Sequence, residues 1–167
     1  MSRESGLSMI EILVTLTIVA FGLLGLLGLQ ARALSFQKDS FDRKAAAELI
    51  SEFAERARTN YEGFRRGSYN GNMAWNAATP AIVSCTSPCT WAQTATRDMG
   101  EWQNELRRRI PGSGSYIAWN PAVDTWITMT VAWPEPLQDS AVIDPRCAAV
   151  DATIPVNYRC YTVQVLP

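Results

Sequence analysis

The sequence predicts an α+β protein in which a long N-terminal helix packs on a small antiparallel sheet. Three observations carry that prediction. From Ile12 to Leu29 the chain has eighteen residues without a charge, and only Thr15 and Thr17 are polar. An amphipathic segment follows to about Asn60 with no proline between. Near the C-terminus, three runs of β-branched and aromatic residues alternate inward and outward at period two.

As an α-helix, Ile12–Leu29 is about 27 Å long, close to the hydrocarbon thickness of a bilayer. One charge, Glu11, stands at its start. A carboxylate deep in a membrane costs roughly 2.5–3.5 kcal/mol, so Glu11 calls for a partner. The plain alternative is a simple anchor with Glu11 tolerated at the interface. An ordinary secretory leader has a small-residue cleavage site after its apolar run. Here the segment from Met1 to Gly6 is short and polar, its Gly precedes the run, and Gln30-Ala-Arg-Ala-Leu34 continues in helical composition. Gly22, Gly25 and Gly28 permit close helix approach in a membrane, or loosening of the segment outside it.

Beyond Gln30 the residues Leu34, Phe41, Ala45, Leu49, Phe53 and Ala57 recur at helical spacing, with charges between them. A helix from Leu7 to Asn60 would be roughly 80 Å long, more than a domain of this size needs. Residues 61–96 are rich in Asn, Gly, Ser, Thr and Ala, with Asn70-Gly71 as a turn. We expect a long connecting region there, pinned to the core by Trp75 and Trp91. Arg97–Ile110 reads as a short helix with Met99, Trp102, Leu106 and Ile110 on one face, stopped by Pro111-Gly112. Glu101 and Glu105 are expected to meet Arg108 and Arg109, and Arg107-Arg108-Arg109 to form a solvated face. Strands are predicted at 115–119 and 125–133, joined by the turn 120–124, and at 158–166. Residues 137–155 are a loop. In the second strand Ile127, Met129, Val131 and Trp133 share one face, and in the last Tyr161, Val163 and Val165 do.

The 167 residues fit one globular domain plus an anchor, and 15 basic against 16 acidic side chains give a net charge of -1. That balance has no footprint for nucleic acid. Histidine is absent, which removes Ser-His-Asp and Cys-His catalysis and most zinc sites. No cofactor, metal or enzymatic activity is expected. Cysteines occur at 85, 89, 147 and 160. They suit disulfides in an exported domain better than a four-cysteine metal site, and three connectivities are open. Cys85–Cys89 would close a tight loop around Ser87-Pro88.

Gly6, then Leu7-Ser-Met-Ile-Glu11, then an unbroken apolar run resembles the class III leader of type IV pilins and pseudopilins. Ile10–Leu16 followed by Phe21–Gln30 looks most like the PilV group of minor pilins. The likeness covers about 25 residues strongly and the remainder in architecture. Leu7 stands where Phe is usual, and Ser8-Met9 where Thr-Leu is common; both keep the apolar character. The resemblance implies cleavage by a prepilin peptidase between Gly6 and Leu7, methylation of Leu7, and an assembly role for Glu11. It divides the chain into a leader (1–6), a transmembrane and filament-core helix (7–29), an amphipathic half (30–60) and a C-terminal globular region (61–167). It implies a single inner-membrane pass with a periplasmic domain, later incorporated in or at the tip of a pilus. The implied partners are other minor pilins and the major pilin, and the implied work is pilus assembly, supporting adhesion and twitching motility. It also favours a second disulfide, Cys147–Cys160, of the kind that clips the C-terminal segment in many pilins. The alternative within the class is a minor pseudopilin of type II secretion. Outside it stand an anchored adhesin with aromatic binding loops and a periplasmic enzyme.

Overall fold

A computed structural model describes residues 8–119, 126–135 and 143–166 of the chain. The leader, Leu7, the 120–124 turn, Thr125, residues 136–142 and Pro167 lie outside those residues. The elements are α1 (Met9–Thr59), α2 (Tyr61–Arg65), β1 (Gly71–Met73), α3 (Trp91–Arg109), β2 (Gly114–Ala118), β3 (Ile127–Pro134), a 3-10 helix (Pro145–Ala149) and β4 (Tyr158–Val165). The chain divides into two compact units, one through Lys38 and one from Asp39 onward.

The first unit is helical. Ser8 opens α1: its hydroxyl accepts from the Ile10 N–H at 3.3 Å and its carbonyl from the Ile12 N–H at 3.3 Å. The two polar residues of the apolar run satisfy themselves. Thr15 donates to the carbonyls of Glu11 and Ile12 at 2.9 Å, and Thr17 to that of Leu13 at 2.7 Å. Neither hydroxyl therefore needs water, which suits an apolar surrounding. Met9–Leu29 presents its large apolar side chains outward. Within α1, an 18-residue window is long and apolar enough to cross a membrane, and none of it is buried in the fold.

In the second unit, the rest of α1 and α3 cover one face of a four-stranded antiparallel sheet of order β1-β2-β3-β4. The result is the α+β arrangement predicted. The buried stripe of α1 is Asp42, Ala46, Leu49, Ile50, Phe53, Ala54 and Ala57. The expected face extends too far back: Leu34 and Phe41 are 66% and 69% exposed. Helical period identifies a face, but only a covering layer buries it, and burial begins at Asp42.

α3 starts six residues earlier than predicted because Thr90 and Gln93 form a capping box. The Thr90 hydroxyl accepts from the Gln93 N–H, and the Gln93 side chain accepts from the Thr90 N–H. Trp91 therefore begins this helix instead of pinning a loop, and it is 39% exposed under the guanidinium of Arg66. Trp75 does pack, beside Tyr158 at 5.7 Å. The 61–96 stretch also contributes α2 and β1, the latter pairing Gly71–Met73 with Ile117–Ser115. Asn70 positions that edge: its side chain donates to the Trp119 carbonyl at 2.9 Å and accepts from the Trp119 N–H at 2.7 Å.

Pro111 and Gly112 end α3, and Gly112 takes φ +77°. Ile127, Met129, Val131 and Trp133 are all buried under the helices. The opposite face of β3 is buried too. Ala132 packs with Cys147, Val150, Ile154, Tyr158 and Cys160, so the segment around the 3-10 helix forms a third layer. Val163 and Val165 pack on the helix side, but Tyr161 on the edge strand is 40% exposed.

The core includes one polar chain. Asn60 Nδ2 donates to the Tyr69 hydroxyl at 3.1 Å, which donates to buried Asp98 at 2.7 Å. Burial, then the bond to Asp98, push the Tyr69 phenol well above its ordinary 10.0. Between 10.0 and that higher value the folded chain holds a proton that the unfolded chain releases. The contribution is therefore complete below pH 10.0 and lost as pH rises above it. Denaturant midpoints measured across that range should fall with pH, and less steeply in Tyr69→Phe.

Candidate functional site

Gly6 and Leu7, the expected processing pair, lie outside the described residues. Glu11 is in the first turn of α1, where a carboxylate complements the exposed N–H groups of the helix start. It is exposed, and among the described residues its carboxylate has no ion-pair partner. It therefore stands at the head of the charge-free run with its charge uncompensated within the described fold. What such a group can do is pair with a cation, and an apolar surrounding strengthens that attraction.

The cysteines form two local pairs. Cys85 is bonded to Cys89 with Cα atoms 5.5 Å apart, and Cys147 to Cys160 at 5.3 Å. The first pair sits just before the Thr90 cap and holds the approach to α3. Both of its residues are partly exposed. The second joins the 3-10 helix to β4 in the buried layer, where Cys147 is 0% and Cys160 4% exposed. A non-reducing peptide map should recover Cys85 with Cys89 and Cys147 with Cys160, and mild reductant should open the exposed pair first. Replacing Cys147 and Cys160 together by serine should destabilise the domain by about 3 kcal/mol. A map joining 85 or 89 to 147 or 160 would refute the pairing.

The charged faces differ in part from expectation. Glu105 receives both Arg108, at 2.6 Å, and Arg109, at 3.0 Å, and the Arg108 hydrogen bond lowers its pKa. Glu101 instead meets Arg56 on α1 at 2.7 Å, an interhelical bond that the i, i+4 rule does not predict. Arg109 also reaches Glu48 at 3.1 Å. Arg107 leaves the solvated row: it is partly buried, donates to the Ala74 carbonyl at 2.6 Å, and burial lowers its pKa. Among the described residues, no group of three or more Cys, Asp or Glu could hold a metal.

The sequence reading missed the juxtaposition of Arg43 and Lys44 on α1 with Arg146 and Arg159 near β4. No spacing marks it, because more than a hundred residues separate the two pairs. The Thr90-x-x-Gln93 cap, by contrast, was legible and would have placed the start of α3. No protein-family model, curated protein or solved structure matches this chain.

Proposed function

We propose that this chain is a membrane-inserted prepilin, processed to a minor type IV pilin of the PilV type that helps to prime or cap pilus filaments. The observation that carries the reading is the order of parts along the chain. A Gly-Leu step is followed by Glu11, then by a charge-free span, and the same helix then packs on the sheet of a disulfide-clipped domain. An enzyme has no need of that order, whereas a subunit that leaves a membrane to join a shaft does. The work proposed is assembly with other minor pilins and the major pilin. It would support adhesion and twitching motility, with the C-terminal domain in the periplasm before incorporation. The α3 to Pro111-Gly112 step into β2 resembles PilV-like and pseudopilin sequences alike, so a minor tip subunit of type II secretion is the second reading. Deleting the gene separates the two: loss of pili with secretion intact supports the first, and the converse the second.

Mass spectrometry of the mature N-terminus tests the class. The chain should begin at Leu7 with a methylated amine. Removal of residues 1–6 takes one charge of each sign, Arg3 and Glu4, so the net charge stays at -1. A mature chain beginning at Met1, or one cut after residue 30, would sink the prepilin reading.

A further inference from the structure

Between α1 and the β3–β4 edge lies a pocket of about 300 Å³. Its lining brings together Arg43 and Lys44 from α1, Arg146 from the 3-10 helix, Arg159 from β4, and Trp133 and Tyr161. Each cation lies near a carboxylate: Arg43 by Asp39 at 2.9 Å; Lys44 at 3.7 Å from Glu48, which also takes Arg109; Arg146 by Asp144 at 2.6 Å; and Arg159 by Glu135. None of the four carboxylates lines the pocket. Trp133 supplies a second, independent observation. It is 2% exposed, and its indole N–H has no acceptor among the described residues. A buried donor left without an acceptor is costly, so a site that keeps one is suited to a ligand that accepts. The charged side chains of the wall are all donors, and its buried ring contributes another.

The pocket continues into a groove of about 210 Å³ along the same helix and strand, sharing Ala47 and Tyr161, with apolar side chains for most of its wall. Ile50, Ala54, Val163 and Val165 line that groove, together with Ser51 and the ion pair of Glu55 and Arg58. A free inorganic anion would leave the apolar half empty. A polypeptide segment with a carboxylate beside apolar side chains fills both halves. We propose that the α1–β4 cleft is a docking site for an acidic–apolar segment of a partner protein, with an Asp or Glu carboxylate accepting from the Trp133 indole between Arg43, Lys44, Arg146 and Arg159. The proposal stands on the geometry of the second unit and does not require the pilin reading.

The test uses the full chain in detergent micelles with its tryptophan indoles labelled with nitrogen-15. Its probes are acetyl-Val-Glu-Val-amide, acetyl-Val-Gln-Val-amide and inorganic phosphate. The Trp133 N–H signal is identified by its loss in Trp133→Phe. It should move downfield saturably with the Glu peptide and bind the Gln peptide about tenfold more weakly, as loss of a charge-assisted bond requires. The double variant Arg43→Gln, Lys44→Gln changes two exposed side chains and should abolish the response while leaving the other indole signals in place. Should Trp133→Phe fail to fold, the indole signal that responds to peptide in the parent and not in the double variant identifies the site. Equal response to both peptides would overturn carboxylate recognition. A phosphate response as strong as that of the Glu peptide would overturn the polypeptide occupant. A shift that follows protein concentration without any probe would assign the cleft to a second copy instead, and no shift with any probe would overturn the site altogether.

Discussion

Replacing Glu11 by alanine should leave the chain inserted and cleaved, yet reduce its entry into pili or minor-pilin complexes by about a hundredfold, on the scale of an unpaired intramembrane charge. The argument starts from the cleaved end. Once Gly6 is removed, Leu7 carries a free amine, cationic at neutral pH. Glu11 then stands four residues further along the chain, at the head of a run with no other charge. Two neutralising arrangements exist: Glu11 with its own Leu7 amine, or with the amine of a neighbouring subunit. The second supplies both register and a driving force for docking, since either charge alone in an apolar bundle is costly. On the proposed pilin reading it would also set this subunit beneath another, because a subunit at the extreme tip has no amine ahead of it. Glu11→Gln is nearly isosteric and separates charge from shape. It should fail in assembly almost as badly as alanine. Pulldown of tagged subunits and counts of surface pili measure the effect. Wild-type assembly of both variants, with normal cleavage, would make Glu11 a tolerated interface residue.

The largest stability effect is expected at Trp102. This side chain is 1% exposed and packs 5.0 Å from Phe53, and its indole N–H donates to the Leu49 carbonyl at 2.8 Å. It therefore joins α3 to α1 by packing and by a hydrogen bond at once. Truncation to alanine should cost about 3–5 kcal/mol, a large share of the 5–15 kcal/mol that stabilises a typical domain. Trp102→Phe keeps most of the ring and loses the bond, so it should cost less, about 1–2 kcal/mol. Trp91→Ala is the contrast. That residue is 39% exposed at the start of α3, and its loss should cost under about 1 kcal/mol. Urea denaturation of the full chain in detergent, followed by near-ultraviolet circular dichroism, ranks the three. Equal midpoints for Trp102→Ala and Trp91→Ala would contradict the core described above.

Much of this architecture was legible in the sequence because its signals are local. The charge-free run, the 3.6-residue period of Leu49, Phe53 and Ala57, and the two-residue period from Ile127 to Trp133 each depend on neighbours within a few positions. The tertiary structure decided what the local signals leave open. Leu34 and Phe41 follow the same helical period as Leu49, but no layer buries them. Ala132 sits on the face of β3 that alternation assigns to solvent, and it is buried at 0% exposure because the 3-10 segment folds over that face. Gly71–Met73 is too short to announce itself and becomes a strand through its pairing with β2. The basic cleft brings residues 43 and 44 beside 146 and 159. Periodicity states which side of an element is apolar. Which distant segment comes to cover that side, and which charges it carries there, is settled only when the layers close on one another.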